Sequence, residues 1–487
     1  MFSHTYQNFI NGEWVTSRSK KTFTSINPAN EKVLGKFQAS NFYDIEQAVQ
    51  AAINARTAWK NVPAPERAYY LYTIKELLTK HKQRLGKLVA TEMGKVMNEA
   101  LGDVQEAIDI FEYMAGEGRR MYGKTTPSEL RNKICYTQRK PHGIAGIITP
   151  WNFPIAIPAW KMAPALITGN TIVWKPSSDT PLCALELVEL IHEAGIPKGV
   201  INLVTGSGKE TGMPLVQHPK IDVVSFTGHR DTGKTILQTA GIKKVGLEMG
   251  GKNAIIVMDD ADIDLAVDGI LWGGYGTTGQ RCTATSRIIA HQTIAKELEE
   301  KLLIRIKKLR LGPGTKETTD IGPLINKAAQ TKTAEYTHLG KEEGATLTYG
   351  GNIPQGKGYY YQPTLFTNVQ PNMRIAQEEI FGPVVALITV KDLPEAITVC
   401  NAIDYGLSAA VYTHNINHAF QALQHLETGI VYVNAPTIGA EVHLPFGGTK
   451  QTGWGREAGW TGIEEFSEEQ TIYIDYSGKL QKAQGID

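Results

Sequence analysis

The sequence predicts an α/β protein with two parallel-sheet domains and a small β extension. Three observations carry this. From residue 143 onward, apolar runs of strand length alternate with segments of helical spacing. The alternation begins a second series near residue 251. Two polar, strand-like stretches, 121–140 and 471–475, stand outside both series. Short strands that are apolar throughout belong to sheets covered on both faces, and strand–helix alternation builds parallel sheets. At 487 residues the chain is also longer than one domain usually is.

The amino-terminal part holds two helices, at 45–59 and 65–93. Pro65 suits a first helical position, where no N–H is needed, and Gly94 suits a stop. GIAGII (143–148) is the first core strand, 154–168 a helix ending at Gly169, and TIVWK (171–175) the next strand. A helix at 181–194 runs from Pro181 to a stop at Gly195. VINLVTG (200–206) and DVVSFTG (222–228) are strands, each followed by a glycine-punctuated helix. In the second series the strands include 253–258, 384–390, 408–413 and 429–434, and the helices 293–309 and 393–403. The domains are thus expected at 1–120 with 141–250, and at 251–450. The segments 121–140 and 460–487 have no evident core partner of their own, so they are expected to pair with another subunit.

Composition excludes several function classes. A net charge of +1 leaves no electrostatic footprint for nucleic acid or an acidic membrane surface. The longest apolar runs, such as 254–258 and 384–388, are strand-sized and too short to span a bilayer. The start, MFSHTYQNFINGEW, lacks the charged, apolar and cleavage regions of a signal peptide. Cys135, Cys183, Cys282 and Cys400 are scattered, with no CxxC pair and no nearby His cluster. That pattern suits neither a disulfide framework nor a metal site, and a reduced, cytoplasmic chain is expected.

Residues 228–235, GHRDTGKT, match the phosphate-loop pattern GxxxxGK[ST] between a strand and a helix. A nucleotide triphosphatase would use Lys234 on the phosphates and Thr235 on a metal, with an Asp of AIIVMDD (254–260) near by. The plain alternative is that Gly233 and Lys234 open a helix. Either way, a glycine-rich strand-to-helix turn presents free N–H groups to phosphate, and a pyrophosphate suits it as well as a triphosphate.

Three other segments, ITPWNFP (148–154), LEMGGKN (247–253) and GQRCTATSR (279–287), together resemble the aldehyde dehydrogenase superfamily. EEIFGPV (378–384) and PFGGTKQTGWGRE (445–457) extend the resemblance, which runs from about residue 7 to residue 475. It implies two Rossmann-like domains, one binding NAD or NADP and one catalytic, plus an oligomerisation extension. The implied assembly is a homodimer or homotetramer, and the implied partner a small-molecule aldehyde.

Aldehyde oxidation needs a tetrahedral carbon before hydride can leave, and a thiolate makes one well. Cys282 lies in the turn GTTGQRCTATS, where Arg281 is expected to favour the thiolate. A buried, inert thiol is the commoner fate of a free cysteine, and it is the reading kept for the other three. The resemblance makes Cys282 the nucleophile. It gives Asn152 to the oxyanion hole, although by sequence alone Asn152 reads as a helix cap before Pro154. It makes Glu248 the general base, a carboxyl whose apolar neighbours should raise its pKa. The family more often has Leu where Met249 stands, and no effect is expected from that change.

For the cofactor, the resemblance points to Ile148, Trp151, Lys175, Ser178, Gly208, Gly228, His229, Gly233, Glu379 and Phe381. Ser178 stands where many NAD-preferring members carry a ribose-binding Glu. A Ser leaves room and a donor for a 2′-phosphate, so NADP is expected to be accepted alongside NAD. His229 replaces the usual Ser, and Arg230 after it offers a cation for the same phosphate. Trp160, Arg281, Thr283 and Phe446 are the expected substrate-pocket residues. Trp160 replaces the carboxylate-binding Arg of succinic-semialdehyde members. The local patterns most resemble 2-oxoglutarate-semialdehyde (2,5-dioxopentanoate) dehydrogenases, with other aliphatic aldehydes and glutamate semialdehyde left open. A non-redox thiol hydrolase or a silent binding protein on the same fold is the remaining class. Cofactor reduction separates it from a dehydrogenase, whereas ester hydrolysis does not.

Overall fold

The computed structural model describes residues 4–484. Residues 1–3 and 485–487, the ends of the amino-terminal stretch and of the 460–487 segment, lie outside the described residues. Two large sheets organise the rest. The first has eight strands in the spatial order Glu13–Val15, Asn8–Ile10, Ile201–Leu203, Thr171–Lys175, Ile144–Ile148, Val223–Thr227, Lys244–Glu248 and Gly453–Trp454. Its five central strands are parallel and its edges antiparallel. From Ile144–Ile148 the chain builds outward to Ile201–Leu203. It then returns to place Val223–Thr227 on the opposite side. The strand order reverses there, so the loops after Ile148 and Thr227 diverge and leave a crevice, the usual ligand position in such sheets.

The second sheet has seven strands, ordered Thr346–Tyr349, Thr364–Thr367, Val384–Val390, Thr285–His291, Asn253–Val257, Ser408–Tyr412 and Ile430–Val433. All its pairings are parallel except that of the first two strands. Both sheets are the α/β layers that the apolar strands imply. Ile147, Ile172 and Val223 bury one face of the first sheet, and Ile148, Val173 and Val224 the other.

Three features differ from the sequence reading. A third long helix, Met97–Glu117, follows Ala64–Glu92 and lies antiparallel to it. The pair is close, since a Cβ on Gly86 would stand 2.7 Å from Leu101 Cδ2. Second, the polar strands do have a partner in the chain, because they pair with each other. Lys133–Pro141 and Ser467–Asp475 run antiparallel through nine matched positions, with Thr125–Pro127 beside them. Their separation of more than 300 positions hides this from any local pattern. Third, the carboxy-terminal region returns to the first sheet. Gly453 and Trp454 pair with Glu248 and Leu247, and Ala458, Ile463 and Phe466 enter the first core.

Candidate active site

The nucleophile turn begins with backbone strain. Thr277 and Thr278 both have positive φ, 51° and 60°, a conformation that costs a β-branched residue free energy unless its surroundings hold it. Glu99, on the helix Met97–Glu117, provides the hold. Both its oxygens accept from Thr277 N, at 2.8 and 2.9 Å. Arg281 Nη2 donates to Glu99 Oε1 at 3.2 Å, and Arg281 Nε to Thr277 Oγ1 at 2.9 Å. On the other side of the thiol, Asn253 Nδ2 donates to Cys282 O at 2.8 Å and to Ala284 O at 3.0 Å. Cys282 is therefore fixed from both domains.

Two cavities meet at Cys282. The wider, about 220 Å³, lies in the crevice of the first sheet. It is lined by Trp151 and Asn152 after one strand and by Gly228 and His229 after the other. Lys332, Glu379 and Phe381 close it from the second domain. The narrower, about 60 Å³, is lined by Trp160, Arg281, Thr283 and Phe446, the four expected pocket residues, together with Glu106, Glu248 and Glu457. Trp160 and Phe446 pack edge to face at 5.2 Å. Met249 lines both cavities and fills the space over Gly233, where a Cβ would stand 2.2 Å from its sulfur. The Met was expected to be neutral; its position makes it part of the wall between the two.

Electrostatics correct one expectation. Burial pushes the Cys282 thiol up to about 12, and the carboxylates of Glu379 and Glu248 add to it. The N–H groups of Thr283 and Cys282 act the other way. Arg281 is not among the groups that move the thiol, and its guanidinium turns to Glu99. The resting group is a neutral thiol that needs a base. Glu248 suits that need. Burial first and Glu457 second hold its carboxyl well above the usual carboxylate range, against the pull of Lys161. Its Oε2 has no hydrogen-bond partner among the described residues. Its Oε1 lies so near Gly447 (φ 150°) that a Cβ there would stand 2.7 Å away. Lys161 pairs with Glu457 and donates to Ser225 Oγ at 2.9 Å, so a buried ion pair backs the base.

Asn152 is not a helix cap. Its Nδ2 donates to Gln280 O at 3.1 Å, next to the nucleophile. The N–H groups of Ile155 and Ala156 are taken by Asp103 Oδ1 instead, at 3.3 and 2.7 Å. Among the other cofactor candidates, Glu379 Oε1 accepts from Gly251 N at 3.0 Å, and Phe381 packs edge to face on Trp151 at 5.5 Å. Ile148 and Lys175 are register neighbours on the sheet. Both are buried outside the cavity, and burial lowers the Lys175 ammonium to about 8. Gly212, not Gly208, faces them: a Cβ on Gly212 would meet Lys175 Cδ at 3.6 Å, while Gly208 faces open space.

The donor expected at Ser178 is already engaged, on Gly206 O at 2.9 Å. Arg230 offers no free cation either, since it pairs with Asp404 at 3.5 Å and lies over the Tyr405 ring. The phosphate-loop reading also fails. His229 caps a helix that already runs through Arg230–Thr239, so Lys234 and Thr235 lie past its first turn. Thr235 Oγ1 donates back to Asp231 O at 2.9 Å, and Asp260 is taken up by Thr413 and His414.

Sequence reasoning missed Glu99, Glu106, Asn253, Lys332 and Glu457. The first two had a signal: Glu99, Asp103 and Glu106 recur at helical spacing in 97–117, a stripe of carboxylates beside an apolar face.

A thiol, an amide donor, an unpartnered buried carboxyl and a crevice at the switch point of a parallel sheet are thus assembled on one spot. The aldehyde dehydrogenase family model matches residues 14–472.

The chain belongs to the aldehyde dehydrogenase family.

It is an oxidoreductase with the fold of that family. It is similar to the alpha-ketoglutaric semialdehyde dehydrogenase of Bacillus subtilis, at 43% identity over 97% of this chain and 98% of that one. The 2,5-dioxopentanoate dehydrogenase of Saccharolobus solfataricus is 40% identical over 95% of this chain and 98% of its own length. Among solved structures, a betaine aldehyde dehydrogenase from Staphylococcus aureus in complex with NAD+ superposes with a TM-score of 0.95. It is 37% identical, covering 98% of this chain and 97% of that one. No helix among the described residues is long and apolar enough to cross a membrane.

Proposed function

We propose that the chain oxidises 2-oxoglutarate semialdehyde to the dicarboxylic acid through a thiohemiacetal and a thioester on Cys282. The observation that carries the chemistry is the place of Cys282 at the junction of two cavities, one presenting Asn152 and Glu379 and the other Glu248. Support for the substrate comes from the relatives' names and from the narrow cavity. Its volume holds only a few waters, which suits a short aliphatic tail rather than a fused ring.

The residues fit a nicotinamide dinucleotide. Gly228 and Gly250 put bare backbone at the wider cavity, and a Cβ on Gly250 would strike Glu379 Oε2 at 2.1 Å. Thr227 Oγ1 lines the same cavity, buried and without a partner among the described residues. Trp151, Glu379 and Phe381 would hold the nicotinamide end, and Lys175 and Ser178 the adenosine end. Bound there, the dinucleotide supplies a hydride acceptor. Room at Ser178 keeps NADP acceptable beside NAD.

Glu248 takes the proton of Cys282 as sulfur adds to the carbonyl carbon. The oxyanion so formed receives the second amide hydrogen of Asn152 and the N–H of Cys282. Once hydride has left, Glu248 releases its first proton to solvent. As a carboxylate it then draws a proton from the water that opens the thioester, and passing that proton to the departing sulfur frees the acid and restores the thiol. The decisive experiment is a panel of aldehydes with NAD+ and NADP+, followed by the absorbance of the reduced cofactor. Highest kcat/KM for 2-oxoglutarate semialdehyde is expected. Reduction with no aldehyde at all would sink the reading.

A further inference from the structure

We propose that Glu106 is a specificity-determining residue, which in its acid form acts with Arg281 to recognise the oxo-carboxylate tail of a small ω-oxo acid. The proposal rests on the reading above that the substrate is such an acid.

The helix Met97–Glu117 turns Glu99, Asp103 and Glu106 toward the nucleophile turn and the narrow cavity. Glu99 is spent on Thr277 and Arg281. Asp103 is spent on Lys95 Nζ at 3.1 Å and on the N–H groups of Ile155 and Ala156. Glu106 alone of the three lines the cavity, and it makes no hydrogen bond among the described residues. Glu106 is half-buried, so its carboxyl stays open to a ligand that enters the cavity. Arg281 is its neighbour in the cavity wall. Two nitrogens of that guanidinium are engaged, while Nη1 has no hydrogen bond among the described residues.

The groups facing Glu106 set its charge. Asp103 and Asp109 lie on its own helix, Lys95 comes from the segment before it, and Arg281 from the nucleophile turn. Glu248 and Glu457 share its cavity. Burial and Asp103 push the Glu106 carboxyl up to about 7, against Arg281 and Lys95. Below that pH it is an acid with an O–H to donate. Above it, a third carboxylate stands in a cavity already lined by two acidic residues. An anionic tail is therefore accepted by the acid form and repelled by the ionised one. A neutral tail is indifferent.

The test compares kcat/KM for 2-oxoglutarate semialdehyde with that for pentanal across neutral pH. The ratio of the two cancels the ionisations of Cys282 and Glu248, which both substrates share. In the native enzyme the ratio should fall about ten-fold as pH rises from about 6 to about 8.5, the scale of one like-charge contact at a partly screened site. E106Q keeps a donor but cannot titrate, so its ratio should stay flat at the low-pH value. Quenching of tryptophan fluorescence by NAD+ verifies that E106Q is folded. A flat ratio in the native enzyme, or an unchanged fall in E106Q, overturns the role of Glu106 and leaves the substrate intact. Pentanal oxidation with no turnover of the semialdehyde overturns the substrate reading, and this role with it. A preference for betaine aldehyde that grows with pH overturns the role too, because Glu106 would then serve a cation as a carboxylate.

Discussion

On one side of Cys282 the backbone sets where the cavity opens. The loops after Ile148 and Thr227 separate because the strand order reverses between them, and Gly228 and Gly250 keep the surface bare. On the other side the wall is made of side chains from distant segments. Glu106 comes from the helix Met97–Glu117, Trp160 from the helix Ala156–Thr168, Arg281 from the nucleophile turn, and Phe446 and Glu457 from the carboxy-terminal return. The first kind of wall follows from topology and suits any member of a cofactor class. The second can change one residue at a time with no cost to the sheet. Generic binding and substrate choice are thereby separated, and they meet at the thiol and at Ile157, Thr227 and Met249, which line both cavities.

The largest effect that would test this division is at the thiol itself, since both cavities depend on it. C282A should lower aldehyde oxidation by on the order of 10⁴-fold or more. Binding of NAD+, followed by fluorescence, should persist. Loss of cofactor binding together with activity would show that the two sides are not separable.

Next is the base on the substrate side. E248Q should lower steady-state turnover by about 10²- to 10⁴-fold. In the native enzyme the basic form is the active one, and burial raises this carboxyl. The rate should therefore fall as pH drops, with a midpoint above the ordinary carboxylate range, and E248Q should lack that limb. A native profile flat through that range would count against Glu248 as the base.

Asn152 stands on the cofactor side yet serves the reacting carbonyl. N152A should cost about 10²- to 10³-fold in kcat. KM for NAD+ should change much less, and a change confined to that KM would place Asn152 with the cofactor alone.

The smallest effect expected is structural. E99A removes the partner of both Thr277 N and Arg281, and should lower stability by about 2 kcal/mol. Urea melts check this. It should also lower kcat more than it raises KM for the cofactor, since the strained turn carries the thiol and not the cofactor wall. An equal effect on both would blur the division.

Much of the cofactor side was legible in the sequence. Strand-length apolar runs, glycine stops and the motif segments lie within short windows, and periodicity reports on such windows. The substrate side was legible only where it overlapped a motif, at Trp160, Arg281, Thr283 and Phe446. Glu106 lies far from those segments in the chain, where only a helical stripe of carboxylates hints at it, and Glu457 ends the 445–457 segment, where it reads as one more charged residue. Three particulars were misread for one reason: thiolate support from Arg281, a free hydroxyl donor at Ser178 and an unpaired cation at Arg230. Each was read as a free group, and each has a partner distant in sequence: Glu99, Gly206 and Asp404.

By itself the sequence determined the α/β class, the family and the reacting sulfur. Those depend on local hydrophobic period and on residue order within short segments. Tertiary structure decided which charges are spent and which remain. It paired the two polar strands across more than 300 positions, brought Gly453 and Trp454 beside Glu248, and left Glu106 unmatched in the cavity wall. A charge acts through its neighbours in space, and enclosure changes both its cost and its protonation. Chain order does not set those neighbours.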